Sequence, residues 1–313
     1  MHTILITGGN TGLGLACARV LAADPEAHVA LACRNPQRAE AAAAAIRSHT
    51  GNPAVSVLPL DLGSLASVRA CAEQFRASGL PPLRALVCNA GLQFKNELHR
   101  SADGYEASFA VNHLGHFRLV LELLPAMAPD GRVVVVSSGT HYRPAKPLAA
   151  LFGIPGGLYT SARALAAGEL PPSISPSQAG AYRYATSKLC NLLFAYELHR
   201  RLQAAGSRIT VNAFDPGLMP GTGLARDNAP ALQWIWRNIL PVLRLLDGVN
   251  SVEHSGQHLA ALAASPRWAG HSGLYVVEEA AVPSSDASYS EAAARSLWED
   301  SLALSGAADL PAR

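Results

Sequence analysis

Short apolar stretches of strand character alternate with helical stretches about seven times along this chain of 313 residues, and no other feature restricts the fold as strongly. The strand-like runs lie at 2–7, 28–33, 54–60, 84–88, 132–136, 208–214 and 273–277. Helical spacing of apolar residues fills the intervals at 15–23, 36–49, 65–77, 105–127, 181–205, 251–264 and 290–304. Parallel neighbours in a sheet need a crossover, which a helix supplies, so this alternation predicts α/β architecture with helices on both faces of a parallel sheet. No linker divides the chain and no segment repeats. The expected unit is one domain, 1–313, carrying an insertion at 139–180 and a lid at 218–250.

Hydrophobic residues make up 49% of the chain and charged residues 15%, enough apolar material for such a core. A net charge of +2 with no basic block argues against a nucleic-acid partner. Cys17, Cys33, Cys71, Cys88 and Cys190 are odd in number and lack metal-ligand spacing, so they read as small buried residues in a reducing compartment, with no metal site. The first residues enter a strand directly, without the charged and apolar regions of a secretory signal. No apolar run reaches the length of a spanning helix. The expected location is cytoplasmic.

The first strand runs straight into Gly8-Gly-Asn-Thr-Gly-Leu-Gly14 and a helix. Glycines let the backbone approach a pyrophosphate, and a helix N-terminus attracts it, so this is a candidate anion site for a dinucleotide. The alternative is a tight βα turn without a ligand. The second strand ends in Arg34, where an acidic residue would hold a free ribose and an arginine accommodates a 2′-phosphate. NADP(H) is therefore favoured over NAD(H). The fourth strand delivers Asn89-Ala90-Gly91 and the fifth Ser137-Ser138 to their carboxyl ends. In the helix at 105–127, Asn112 and Gly115 weaken helix formation; they either free a backbone carbonyl or allow close packing.

Tyr184 and Lys188 stand four apart on the helix at 181–205 and so share a face. An ammonium beside a phenol favours phenolate, which predicts a lowered tyrosine pKa and a proton donor and acceptor near neutral pH. By itself the pair is also what a surface Tyr and Lys on an ordinary amphipathic helix look like.

Taken in order, these pieces resemble the short-chain dehydrogenase/reductase family over nearly the whole chain. Thr7-Gly8-x-x-x-Gly12-x-Gly14 is similar to that family's cofactor loop, Asp61 to its adenine-contacting acid, and Asn89-Ala90-Gly91 to its Asn-Ala-Gly segment. Asn112, Ser138, Tyr184 and Lys188 match its catalytic tetrad, and Pro216-Gly217 followed by Thr222 its nicotinamide-end segment. The resemblance implies a single Rossmann-like doubly wound sheet. It also implies an NADP(H) site formed by Thr7, Gly8, Asn10, Thr11, Gly12, Leu13, Gly14, Arg34, Asp61, Leu62, Asn89, Ala90, Gly91, Tyr184, Lys188, Pro216, Gly217 and Thr222. Hydride would pass between the nicotinamide and a carbonyl or alcohol carbon. Ser138, the second of the serine pair, and Tyr184 would serve the oxygen, Lys188 would assist and hold the ribose, and Asn112 would anchor a water.

Two branches look closest. Ala32-Cys-Arg-Asn35, Asn112-His-Leu-Gly-His-Phe117 and the Trp298 tail resemble the retinol dehydrogenase-like reductases. Together with the long insertion and Ser187-Lys-Leu-Cys-Asn191 they also resemble light-dependent protochlorophyllide reductase, but Leu218 stands where that enzyme has an active-site cysteine. Both the insertion and the segment from 218 follow strand ends. Trp234, Trp236, Ile239, Leu243 and Leu246 suggest a greasy lid and a bulky hydrophobic small-molecule substrate, though core, a homo-oligomer contact or a membrane contact would use the same residues. A non-catalytic NADP-binding sensor on the same fold remains an alternative.

Overall fold

The computed structural model describes residues 1–95, 97–145, 149–150, 153–219 and 250–310. Thr222, the apolar residues 234–246 and nearly all of the expected lid lie outside the described residues.

Seven elements come first: β1 (His2–Thr7), α1 (Gly12–Ala22), β2 (Ala27–Cys33), α2 (Pro36–Thr50), β3 (Val55–Pro59), α3 (Leu65–Ala77) and β4 (Leu83–Cys88). Local chemistry sets several of their ends. Asn35 caps α2 by accepting the Arg38 N–H at 2.8 Å, with Pro36 in the first turn, and Ser64 caps α3. The helix expected at 105–127 is instead a composite. A single turn, α4 (Ala107–Phe109), passes through a π-helical segment (Ala110–Leu114) into α5 (Gly115–Leu123). A 3₁₀ turn containing Pro125 ends it, and Met127 already belongs to β5 (Met127–Val136).

Within the long segment after β5, α6 (Ala162–Ala167) is capped by Ser161. Then come α7 (Ala179–Ala204), β6 (Thr210–Asp215), α8 (Val252–Ala264), β7 (Leu274–Val277), β8 (Ala280–Ala281) and α9 (Glu291–Ser305). Among the described residues no helix is long and apolar enough to cross a membrane.

The strands form one sheet in the order β3-β2-β1-β4-β5-β6-β7-β8. All neighbours through β7 are parallel, and β8 pairs antiparallel with β7. The eighth strand exceeds the seven expected because two alanines carry no periodic signal. Ile4 and Ile6 of β1 pack with α1, α2 and α8 on one face, while Leu5 faces α3, α5, α7 and α9 on the other. Covering both faces explains why the strands are continuously apolar.

Chain order reverses direction across the sheet between β1 and β4, which opens a crevice at the carboxyl ends of the strands. The C-terminal helix α9 closes the far side. Its Trp298 is buried against Phe117 and Phe194 at centroid distances of 5.0 and 6.1 Å, with the Arg201 guanidinium 4.4 Å from its ring.

Candidate active site

At the crevice, Thr7 lies beneath the glycine-rich loop. Its buried hydroxyl accepts N–H groups from Asn89 and Ala90, both at 2.9 Å, and the Asn89 amide donates to the Thr7 carbonyl at 2.8 Å. The ends of β1 and β4 are thereby locked together. A Cβ at Gly14 would stand 2.5 Å from the Gly8 carbonyl oxygen, so the loop folds this tightly only without a side chain there.

Leu13 and Leu62 place their side chains in the core, leaving only backbone to face the crevice. Thr11, at the N-cap of α1, makes no side-chain cap, unlike Asn35 and Ser64 on the neighbouring helices. The first N–H groups of α1 are thus left for another acceptor, and among the described residues no atom outside the loop lies within 4 Å of a Cβ built on Gly12. This cradle fits a dinucleotide pyrophosphate. Arg34 is exposed at the end of β2, with Arg38 exposed in the first turn of α2. Asp61 closes its own turn, Oδ1 accepting the Gly63 N–H at 2.9 Å.

Residues from four elements meet deeper in the crevice. A Cβ on Gly91 would lie 3.4 Å from Asn112 Oδ1 and 3.6 Å from Lys188 Nζ, so these two side chains converge under the Asn89-Ala90-Gly91 segment. Asn112 clamps the backbone of Leu92: Oδ1 accepts its N–H at 2.8 Å, and Nδ2 donates to its carbonyl at 2.9 Å. Nδ2 also reaches Ser187 Oγ at 2.9 Å. Both amide hydrogens of Asn112 are therefore engaged by protein.

Lys188 Nζ donates to the Val136 carbonyl at 3.1 Å and lies 5.6 Å from the centre of the Tyr184 ring. Ser137 turns toward α7 and donates to the Lys188 carbonyl at 2.9 Å, whereas Ser138 Oγ accepts the Thr140 N–H at 3.3 Å and is near enough to favour the Tyr184 phenolate. Alternation along β5 separates the two serines in this way.

The electrostatics correct one expectation. Tyr184 is not lowered: burial pushes its phenol well above the usual range, the Asp215 carboxylate adds to this, and only the nearby Ser138 hydroxyl opposes them. Burial also pulls Lys188 down to about 8, against a raising influence from Asp215. Desolvation at this depth outweighs the mutual effect of a phenol and an ammonium four residues apart.

Two residues here escaped the sequence reading. His116 is buried, with Nδ1 3.1 Å from the Asn112 carbonyl and Nε2 2.9 Å from Thr7 Oγ1. A carbonyl can only accept, so Nδ1 carries the hydrogen and Thr7 donates to Nε2. Burial lowers this imidazole to about 4, so it is neutral at pH 7. It ties the end of β1 to the π-helical segment, and its only signal was its place in the Asn112-His-Leu-Gly-His-Phe117 run. Asp215 is the other: a buried carboxylate at the end of β6, one residue beyond the strand-like run at 208–214.

Comparison with known proteins agrees with this geometry. The family profile described as short chain dehydrogenase matches residues 2–150. The chain is 36% identical over 301 residues to a WW domain-containing oxidoreductase of Danio rerio, covering 95% of this chain and 66% of that protein, just under two thirds of its length. It is 36% identical over 309 residues to a polyprenol dehydrogenase of Mus musculus, covering 97% and 83%. It is 37% identical over 280 residues to a chloroplastic protochlorophyllide reductase A of Oryza sativa subsp. japonica, covering 84% and 69%.

Among solved structures, an uncharacterized protein from Mycobacterium Paratuberculosis aligns with a TM-score of 0.71 at 30% identity, covering 98% of this chain and 94% of its own. A blue fluorescent protein from a metagenomic library, solved in complex with NADPH, shares the fold with a TM-score of 0.64 at 23% identity, covering 90% and 98%. Sheet order, crevice and relatives lead to one conclusion: the chain belongs to the short-chain dehydrogenase/reductase family.

Proposed function

We propose that this protein is an NADP(H)-dependent oxidoreductase that interconverts a carbonyl and an alcohol on a bulky hydrophobic substrate, with Tyr184 as the acid and base. The observation that carries this reading is the convergence of Ser138, Tyr184 and Lys188 at the carboxyl edge of β5, beside the cradle formed by Gly8, Gly12 and Gly14. NADP(H) held there supplies or accepts the hydride.

Ser138 and Tyr184 hold the substrate oxygen with two hydroxyls, and Tyr184 gives that oxygen its proton as negative charge develops. Lys188, anchored to the Val136 carbonyl, keeps a positive charge beside the phenol. Asn112, occupied with Leu92 and Ser187, acts by fixing the backbone below the site. Arg34 and Arg38, exposed where a 2′-phosphate would lie, support NADP(H) over NAD(H), and the NADPH bound by the metagenomic protein agrees with this. The lid at 218–250, with Trp234 and Trp236, and the insertion at 139–180 would enclose the substrate.

A second reading, reduction of a carbon–carbon double bond, is favoured by the similarity to protochlorophyllide reductase and weakened by Leu218. Loss of reduced-nicotinamide absorbance, followed with NADPH and NADH against hydrophobic aldehydes, ketones and enones in darkness and in light, separates the readings. Dark carbonyl turnover at least about tenfold faster with NADPH is expected. Turnover of enones alone would favour the second reading. NADPH binding without turnover of any substrate would favour a sensor.

A further inference from the structure

Cysteine spacing offered no metal site, but α8 carries a histidine pair of a different character. His254 and His258 stand four apart, so their side chains share one face of the helix across a single turn. Their Nε2 atoms lie 3.0 Å apart, with the ring centroids at 4.3 Å and the planes nearly perpendicular at 84°. His254 is exposed and His258 keeps 12% of its side chain open, so the pair stands at the surface. On its other side, His258 Nδ1 lies 3.5 Å from Glu279 Oε1, in the turn between β7 and β8. That carboxylate is itself fixed: its second oxygen pairs with the Arg267 guanidinium, which also donates to the Glu279 carbonyl at 3.1 Å. A carboxylate beside Nδ1 draws the ring hydrogen to that nitrogen, leaving the Nε2 lone pair of His258 directed at His254.

We propose that His254 and His258 form a binding site for a late divalent transition metal, copper(II), nickel(II) or zinc(II), with water completing the coordination. Imidazole nitrogens bind such ions at about 2.0–2.1 Å, and two of them 3.0 Å apart subtend an angle of about 94° at the metal. That is close to the cis angle of square-planar and octahedral ions, which favours copper(II) and nickel(II); zinc(II) requires the pair to open toward the tetrahedral angle. Among the described residues no three histidine, cysteine, aspartate or glutamate side chains are grouped as metal ligands. The protein therefore supplies two ligands, and Glu279 acts through the His258 ring that it orients.

Without metal, one ring hydrogen bridges the two Nε2 atoms, and the carboxylate at His258 Nδ1 makes His254 the donor. A cation takes the place of that hydrogen while His254 shifts to its Nδ1–H tautomer. The charged groups around the pair are Glu279, its chain neighbour Glu278 and, on the 3₁₀ turn after α8, Arg267. The two carboxylates attract a cation and Arg267 opposes it, while the partial burial of His258 favours the neutral ring that a metal needs. The pair lies outside the candidate active site, on a turn of α8 that supports it. Within that turn Ser255 Oγ donates to the Pro216 carbonyl at 2.7 Å, and Asn250 Nδ2 reaches the same oxygen at 3.2 Å. A cation bridging residues 254 and 258 thus clamps the helical turn that holds Pro216.

The test is calorimetric titration of the full chain, free of any affinity tag and treated with a chelator, with copper(II), nickel(II), zinc(II) and magnesium(II) salts. One equivalent of copper(II) or nickel(II) is expected to bind, zinc(II) more weakly, and magnesium(II), which prefers oxygen ligands, not at all. The chain has 11 histidines, so variants decide which of them bind. His254→Gln and His258→Gln should each lower the nickel(II) affinity at least about tenfold. His49→Gln, which removes an exposed histidine on α2, should leave it unchanged. Paramagnetic resonance of the copper(II) form gives a second readout, with nitrogen splitting from two imidazoles in the wild type and from one in either variant. Nickel(II) should also raise the unfolding midpoint of the wild type and not that of the variants, whose metal-free melts report that they fold. None of these measurements uses turnover, so they stand even where the proposed reaction fails. Affinity unchanged in both α8 variants, or lost equally in His49→Gln, would reveal an adventitious ion only and overturn the proposal. Magnesium(II) bound as tightly as nickel(II) would assign the cation to carboxylates and overturn it too.

Discussion

Lys188 shows at the scale of a single residue what the site costs the fold. Its ammonium is buried, held by the Val136 carbonyl, and its value drops from 10.5 to about 8. The unfolded chain therefore binds this proton more tightly than the folded one. The penalty is present in full below pH 8 and vanishes as pH rises past 10.5. Lys188→Met should raise unfolding stability by about 1–2 kcal/mol at pH 7, part of the gain being offset by the lost hydrogen bond. The gain should shrink steadily between pH 8 and pH 10, and urea titrations at several pH values would measure it. A pH-independent difference would show that the ammonium is not the cause.

At the scale of elements, the segment from Ala107 to Leu123 separates two ideas that the sequence left open. Close packing is the one realised, at Gly115. Around Asn112 the backbone takes π-helical form, and the Asn112 carbonyl accepts the His116 ring. At Gly115 the reason is packing: a Cβ would stand 2.4 Å from the Leu62 carbonyl oxygen, in the turn after β3 that also carries Asp61. Gly115→Ala should therefore push α5 away from that turn and cost about 2–3 kcal/mol, read as a lowered midpoint in thermal or denaturant unfolding. An unchanged midpoint would mean the two elements separate without strain. The helix's early end and the long β5 were harder to read, because Met127 to Gly131 lacks the apolar run that marks Arg132 to Val136. Strands with both faces buried were legible within a residue or two, since their apolar runs are bounded by turns.

Across the whole molecule, the parallel sheet could be read from alternation alone, and the order of the motifs along the chain pointed to the family. What stayed hidden were relations across space. Thr7 and His116 meet 109 positions apart, and Tyr275 holds Asp215 across 60. No spacing rule links such residues, and the rise in the Tyr184 pKa depends on burial that only the packed structure defines. The C-terminal helix was legible as a helix, yet its partners, Phe117 and Phe194, lie on two other elements.

These relations make Tyr184 the group on which the proposed chemistry turns, and Tyr184→Phe tests it most directly. The variant removes one hydroxyl and keeps the ring beside Lys188. NADPH affinity, measured by nicotinamide fluorescence, should change less than about threefold, while kcat for carbonyl reduction should fall at least about a hundredfold. Turnover retained near the wild-type level, with NADPH still bound, would contradict the account and remove Tyr184 from the reaction.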